Sequence, residues 1–387
     1  MATKKRKHGD GPADSPAEFA ESRSDTLGSS SEFDRPIYLV AEQEDEKSAY
    51  SVIKIDAAAA GGDEPLRART VAGLHNTEHG MSFVAAHSKH GSWIVGIGGR
   101  QYGCCIIFDP STLETFRGPG IVCPKDEPVL ISHGGEVYVI ARRPKVVPKL
   151  DFEPWFQSLS FNNGVPSIEC GGFPSWDFLA PPPFFPCALD PYEFANPPKI
   201  TVTSYVVVGS HILLSPQPEL KVGTYGFHMV EESWEKVCDE NLPFAGQAVP
   251  LGGSLFAACP VYNNDNPLTA TVFVFHMSLT TQETAAVNTT RLSIQEIHTV
   301  VSEETIPRPL FCPLGKGSSC SIRLWPLNPI HDEANRPKRV QIILTTIQTE
   351  NTEASAIQVK VHIHTYKCKG QFGFLGSTMP VVAALSM

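Results

Sequence analysis

Short hydrophobic runs recur along the chain from Arg35 onward, and each is bounded by Gly, Pro, Asn, Asp or Ser. Runs of this kind, rich in β-branched and aromatic residues, predict β-strands separated by turns. No sustained helical period interrupts them. The pattern therefore predicts an all-β protein, and short strands at regular spacing are typical of a sandwich, a barrel or a propeller. The clearest runs are 37–41, 50–55, 93–97, 104–108, 136–141, 205–208, 211–214, 254–259, 271–276, 340–345 and 357–366.

A longer period favours the propeller among these folds. Several runs end in an aromatic residue or Ile before a polar turn, at Ile55, Phe108, Phe161, Phe227, Phe275 and Ile363. Most intervals are near ~50 residues, the range of propeller blades with four strands each. Glycine doublets lie upstream of several of these positions, at Gly98 and Gly99, Gly134 and Gly135, and Gly252 and Gly253. Aromatic residues lie downstream of some of them, at Phe116, Trp176 and Trp234.

An apolar run, Gly-Gly, an aromatic residue, a polar turn and Trp form the order of a kelch repeat, and the chain resembles the kelch-type β-propellers. The segments SWDFLAPPPF (175–184) and SWEKVCDENLPFAGQAVPLGGSLFA (233–257) also resemble plant proteins, chiefly from grasses, with degenerate kelch-like propellers. In the family the glycines allow a tight turn, and the aromatic residue and Trp pack between blades. The resemblance implies a propeller of about six four-stranded blades, with seven as the alternative. It would span 35–370, with 371–387 as a C-terminal tail or closing segment.

Two packing expectations follow from this fold. Phe227 and Trp234 should lie on the two arms of one hairpin, with their side chains against the next blade. The strand at 37–41 should pair with 357–366, because a ring closed in this way leaves no open sheet edge.

Residues 1–34 differ in composition from the rest of the chain. They are rich in Ser, Ala, Asp, Glu, Gly and Pro, which predicts a disordered tail. The tail contains the basic cluster Lys4, Lys5, Arg6 and Lys7. One interpretation is a nuclear import signal, and the other is a charged end that keeps the chain in solution.

Charge and composition limit the classes of partner and compartment. The net charge of −10 disfavours nucleic acid and anionic membranes as partners. No apolar run is long enough to span a bilayer, and the N-terminus lacks the apolar core of a secretory signal. The 10 cysteines show no zinc or redox spacing. We therefore expect reduced thiols in a protein of the nucleus or cytoplasm.

Chemistry-bearing motifs are few, and the sequence assigns no catalytic, cofactor-binding or metal-ligating residue. His362 and His364 alternate on one predicted strand, and His228 or His276 could complete a three-imidazole metal site. The alternative is that they are ordinary strand residues on a solvated face. The segment 313–321 (PLGKGSSCS) resembles a phosphate loop but lacks its glycine spacing, and predicts a turn between strands.

Two loops are candidate surfaces, the Pro-rich and aromatic segment 173–200 and the polar turn 263–266. The former could dock as an extended helix in an aromatic groove or pack on its own domain. The function these features favour is a non-catalytic, monomeric interaction propeller, scaffold- or adaptor-like, that binds a protein partner through blade loops. The alternative is an enzyme of the galactose-oxidase-like propeller class, with a site at the ring axis that could depend on a metal.

Overall fold

The computed structural model describes residues 36–45, 48–56, 68–146, 154–166, 176–187, 189–261, 271–283, 288–301, 310–315, 318–326, 339–351, 357–369 and 381–387. The segment 1–34, with its basic cluster, and the turn 263–266 lie outside these residues. Within them the secondary structure is all-β, with 24 strands and a single short helix. None of their helices has the length and apolar character needed to cross a membrane.

Buried and half-buried side chains alternate along the strand at 202–208, whereas 93–98 and 105–108 are buried throughout, and Gly-, Pro- and Asp-containing turns separate the strands. In chain order they are β1 (Ile37–Asp45), β2 (Ser48–Ile55), β3 (Ala68–Leu74), β4 (Met81–Ser88), β5 (Gly91–Gly98), β6 (Cys104–Asp109), β7 (Glu114–Arg117), β8 (Val129–His133), β9 (Glu136–Ile140), β10 (Phe156–Ser160), β11 (Asp177–Phe178), β12 (Val202–Val208), β13 (His211–Pro216), β14 (Thr224–His228), β15 (Ser233–Cys238), β16 (Phe244–Gly252), β17 (Leu255–Pro260), β18 (Thr271–Glu283), β19 (Asn288–Val301), β20 (Leu310–Gly315), β21 (Ser318–Pro326), β22 (Arg339–Asn351), β23 (Ile357–Lys369) and β24 (Val381–Ser386). The helix α1 (Pro191–Ala195) lies between β11 and β12.

These strands form antiparallel meanders of four strands each. Meander 1 has the order β24-β1-β2-β3, meander 2 is β4 to β7, meander 3 is β8 to β11, and meander 6 is β20 to β23. Meander 4 (β12 to β15) and meander 5 (β16 to β19) belong to one eight-stranded sheet. Their first strands join through a short parallel pairing, Ser204 with Gly246 and Tyr205 with Gln247. The first strand of each meander is therefore the inner one.

The meanders close into a ring, which makes the fold a β-propeller. Inner strands contact one another from β24 to β4, β4 to β8, β12 to β16, β16 to β20 and β20 back to β24. A hydrophobic cluster fills each interface between successive meanders, including the one that joins meander 6 to meander 1. In that closing interface Cys312 and Ile322 pack against Leu39 and Ile53, and all four are fully buried. Burial of apolar surface between the sheets is the main stabilising contribution to such a ring.

Ring closure differs from the expected pairing of 37–41 with 357–366. β1 pairs with β24 on its inner side, from Ile37 with Ser386 to Ala41 with Val381, and with β2 on its outer side. The strand β23 instead pairs along its whole length with β22, at the outer edge of meander 6. The physical reason is that both edges of β1 are already hydrogen-bonded, so β23 has no free edge to join.

The repeated aromatic positions lie on the third strand of their meanders. Ile55, Phe108, Phe227 and Phe275 belong to β2, β6, β14 and β18, and Phe161 directly follows β10. Ile363 breaks the series, because it lies on β23, a fourth strand. In each of the other five cases the side chain joins the cluster shared with the preceding meander. The expectation that Phe227 faces the next blade is therefore wrong.

Phe227 and Trp234 are direct cross-strand partners in the hairpin of β14 and β15, which confirms that they lie on its two arms. The ring centroids of Phe227 and Phe156, on β10 of meander 3, lie 4.8 Å apart in an edge-on arrangement. Trp234 is 5.1 Å from Phe227 and 5.8 Å from Phe156. The three rings thus form one aromatic cluster that joins meander 4 to meander 3.

Trp176 and Trp234 make the same kind of hydrogen bond, from the indole nitrogen to a backbone carbonyl. Trp176 Nε1 donates to the Gly120 carbonyl at 2.9 Å, and Trp234 Nε1 donates to the Ala180 carbonyl at 2.7 Å. Both acceptors lie in the connection that leads into the tryptophan's own meander. Phe116 is different, since it pairs with Ile107 rather than Phe108 and therefore packs into the following interface.

Candidate functional site

The propeller has two unlike faces. One carries two-residue turns between first and second strands, such as Gly134 with Gly135 in meander 3. The other, which we call the connection face, carries the connections between meanders and the loops between second and third strands. Gly252 and Gly253 lie at the turn face, whereas Gly98 and Gly99 end β5 at the connection face. The three doublets all have positive φ, but only two of them are equivalent.

Hydrogen bonds link successive loops of the connection face into a belt. The Glu127 N–H donates to the Gly80 carbonyl at 2.7 Å, and the Gly99 N–H donates to the Lys125 carbonyl at 2.9 Å. Arg142 Nε donates to the Glu127 carbonyl at 2.7 Å. Such bonds tie the entry to meander 2, the loop between β5 and β6 and the entry to meander 3 into one unit. The scaffold and these bonds together therefore position the connection-face loops of meanders 2 and 3.

Glu78 fixes the loop between β5 and β6. Its carboxylate accepts the backbone N–H groups of Gln101 at 2.8 Å, Tyr102 at 3.1 Å and Gly103 at 2.8 Å. Gly99 makes room for this arrangement, because a Cβ there would collide with the Glu78 carboxylate, and its φ is +125°. Charge-assisted bonds to three successive amides hold the loop in one conformation.

A charged network lies beside this loop. Arg100 Nε donates to Asp126 Oδ1 at 3.0 Å, and Arg143 Nη1 lies 3.6 Å from Asp126 Oδ2. Arg143 also contacts the Glu127 carboxylate at 3.4 Å. The hydrogen bond to Asp126 and its charge raise the pKa of Arg100. The Arg100–Asp126 pair packs over the bare α-carbon of Gly80, where a Cβ would collide with Asp126.

Two apolar side chains project into solvent next to this network. Tyr102 is 80% exposed and Val122 is 61% exposed. Their loops touch, because a Cβ at Gly103 would collide with Ile121. We call Arg100, Tyr102, Val122, Asp126 and Arg143 the Tyr102 patch.

A buried polar pair lies in the interface between meanders 2 and 3. The Lys125 Nζ donates to Gln157 Oε1 at 3.2 Å, and both side chains are buried. In the described part of the chain, Gln157 Nε2 has no hydrogen-bond partner. The Lys125 contact links the entry to meander 3 with β10, on which Gln157 lies.

The Pro-rich segment is divided between core and surface. Phe184 and Phe185 pack into the interface of meanders 3 and 4, with the Phe185 ring 5.9 Å from that of Trp155. The helix α1 that follows buries none of its residues, and its Tyr192 and Phe194 are exposed. A capping box between Asp190 and Glu193 closes the N-terminus of this helix.

The histidines considered as metal ligands lie on several strands. His228 pairs with His211, and their rings are 4.6 Å apart, with Glu235 Oε1 3.4 Å from His211 Nε2. His276 lies on β18, and His362 and His364 lie on β23 opposite Thr346 and Leu344. Within the residues that the structure describes, no group of three His, Cys, Asp or Glu side chains has metal-binding geometry.

Thiols and the suspected phosphate loop have structural environments. Pro313 pairs with Ser319, and the segment therefore belongs to the antiparallel strands β20 and β21. The described cysteines form no disulfide with one another. Burial raises the pKa of the Cys105 and Cys259 thiols to about 12. Such thiols are weak nucleophiles at neutral pH.

Glu78, Arg100, Tyr102, Asp126 and Arg143 were not predicted from the sequence. They belong to different loops and follow no period. The one available signal was Gly98 and Gly99, which directly precede Arg100 and mark the close approach of Glu78.

The chain belongs to the family described as "Protein of unknown function (DUF1668)", whose model matches residues 34–367. No curated protein matches the sequence. Among solved structures, one similar to this chain is the crystal structure of TolB from Acinetobacter baumannii. The match covers 92% of this chain and 67% of that one, with 10% identity and a TM-score of 0.38.

Proposed function

We propose that this protein is a non-catalytic interaction propeller, scaffold- or adaptor-like, that binds a protein partner through its connection face. In this proposal each four-stranded meander is one blade of a six-bladed, kelch-type propeller that acts as a monomer. The observation that carries the proposal is the exposure of Tyr102 on a loop that Glu78 holds by three backbone hydrogen bonds.

A fixed, exposed tyrosine is a common anchor of protein interfaces. Tyr and Arg are enriched among the residues whose truncation costs more than about 2 kcal/mol of binding free energy. A loop already held in one conformation loses little entropy on binding, so more of the contact energy becomes affinity. The Tyr102 patch combines both features, since Arg100 lies two residues before Tyr102 and shares Asp126 with Arg143. The net charge of −10 supports a protein rather than a nucleic acid as partner.

The resemblance to plant kelch-like proteins supports a plant cell, and its nucleus or cytoplasm, as the setting. The basic cluster Lys4 to Lys7 would serve import if the nucleus is the site of action.

Affinity capture with matched variants tests this proposal. The bait is the full chain, compared with Tyr102→Ser combined with Val122→Ser. The control is Val230→Ser, which removes a side chain that is 81% exposed in the turn between β14 and β15, on the turn face. We expect a reproducible partner that the double variant loses and the control retains. A partner retained by the double variant and lost by Val230→Ser would refute binding through the connection face.

A further inference from the structure

We propose that the Tyr102 patch recognises a carboxylate side chain, Asp or Glu, that stands next to an apolar residue in an extended segment of the partner. This inference rests on the proposed function, because it assigns the chemistry of the ligand at the same face.

Arg100 supplies the donors for that carboxylate. Its Nε is engaged by Asp126, but its two terminal nitrogens make no hydrogen bond within the described part of the chain. The side chain is 63% exposed, so this fork of N–H groups faces solvent. The planar fork of a guanidinium matches a carboxylate through two parallel hydrogen bonds.

Asp126 orients the guanidinium of Arg100 and leaves its two terminal nitrogens available to a ligand. Because Asp126 binds the Nε side of Arg100 and also approaches Arg143, it holds two guanidiniums at one place. The Arg100–Asp126 pair packs against the backbone of Gly80. The arginine therefore loses less side-chain entropy on binding than a freely rotating one would.

The apolar part of the ligand follows from the neighbours of Arg100. Tyr102 is two residues further along the same loop, and Val122 lies on the loop that packs against Gly103. A ligand whose carboxylate reaches Arg100 would therefore place an adjacent apolar side chain on Tyr102 and Val122. The aromatic ring offers a large contact area with few rotatable bonds.

A carboxylate fits the local charge better than a phosphate does. Four basic side chains, Arg100, Arg142, Arg143 and Lys145, stand on these loops. Four acidic side chains, Glu42, Glu78, Asp126 and Glu127, stand on neighbouring loops and strands, and Asp126 and Glu127 form ion pairs with Arg100 and Arg143. A phosphate carries close to two negative charges at neutral pH, and because the four acids balance the four bases, the patch has no net positive charge to hold the second one. A single-charged carboxylate needs only one open guanidinium fork.

Selection from a phage-displayed library of random peptides on the immobilised full chain tests the inference. We expect the enriched peptides to share Asp or Glu next to an apolar residue. Synthetic peptides are then titrated by fluorescence anisotropy. Replacing the shared acid by Asn or Gln, or changing Arg100→Gln in the protein, should each weaken binding by about tenfold or more. Arg100→Lys, which keeps the charge but removes the fork, should lie in between.

Control variants separate the possible results. Arg69→Gln removes an exposed arginine on β3 and should leave the dissociation constant unchanged. Circular dichroism melting checks that each variant is folded. Peptides that lose affinity with Tyr102→Ser but not with Arg100→Gln would overturn the carboxylate inference and leave the proposed function standing. Peptides unaffected by either change would overturn both.

Two further outcomes would also overturn the inference. One is a selection that enriches no peptide with a shared acid, including one that enriches no peptide at all. The other is a phosphoserine in place of the acid that binds at least tenfold more tightly, which would assign the fork to a phosphopeptide.

Discussion

The hydrogen bond from Trp234 to the Ala180 carbonyl gives the sharpest prediction about stability. Trp234→Phe removes the Nε1–H that donates at 2.7 Å and keeps an aromatic ring beside Phe227 and Phe156. A neutral hydrogen bond contributes about 0.5–1.5 kcal/mol net. Because Ala180 is exposed and its carbonyl can bind water instead, we expect Trp234→Phe to lower the free energy of unfolding by about 1 kcal/mol.

Trp234→Ala removes both the hydrogen bond and the ring contacts. Truncation of a fully buried aromatic residue costs about 3–5 kcal/mol, and Trp234 is half-buried. The expected loss is therefore about 3 kcal/mol, including roughly 1 kcal/mol for the ring pairing with Phe227 and Phe156. The difference between the Phe and Ala variants measures the aromatic cluster, and the difference between wild type and Phe measures the hydrogen bond together with the contacts of the larger indole ring.

Equilibrium unfolding in urea, followed by near-ultraviolet circular dichroism, gives these free energies. Phe178→Ala is the control, because Phe178 is exposed on β11, the fourth strand of the neighbouring meander, and should change stability by less than about 0.5 kcal/mol. The packing argument would be refuted if Trp234→Ala cost no more than this control. The hydrogen-bond argument would be refuted if Trp234→Phe matched wild type.

Three further predictions concern the loop, the histidine pair and a thiol. Gly99→Ala should destabilise by about 2 kcal/mol and weaken partner binding, because the added Cβ collides with Glu78 at a φ of +125°; urea unfolding and the capture assay check both effects. Burial and the neighbouring His228 lower the pKa of His211 from its ordinary 6.5, so the unfolded chain binds a proton more readily than the folded one. Stability should therefore be full above about pH 6.5 and fall as the pH drops below it, and a melting-temperature series should lose this slope in His211→Gln. Cys105, whose pKa burial raises to about 12, should resist iodoacetamide at pH 8 in the folded protein and react after urea unfolding, as mass spectrometry of its peptide would show.

Much of the fold followed from the sequence because strands and turns are local features. Turn-bounded hydrophobic runs identified the strands, and the recurrence of Phe108, Phe227 and Phe275 marked the third strand of three meanders. Pairing between distant segments was not predictable in this way. The apolar alternation of 357–366 indicated a strand but carried no information about its partner, and β24 proved to be the closing strand.

The sequence pattern also did not predict which side of its sheet each aromatic side chain faces. Phe116 and Trp234 both follow a third-strand aromatic residue, but a shift of one residue in register turns Phe116 to the opposite side of its sheet. Sequence spacing alone does not give the register of a hairpin to one residue.

The candidate site was the part of the protein that the sequence predicted least well. Glu78, Arg100 and Asp126 come from three loops that only the closed topology brings together. Exposed loop residues carry no periodic signal, because their positions are decided by the scaffold that they extend. The glycines that admit the two carboxylates, Gly80 and Gly99, have a physical role that becomes visible only once their neighbours are known.

Hydrogen–deuterium exchange of the full chain, with and without a captured partner, tests the central claim most directly. Binding through the connection face predicts slower exchange in the loops 99–103 and 118–128 and no change in the turn 229–232. Protection confined to 229–232 and the other turns of the opposite face would contradict the account.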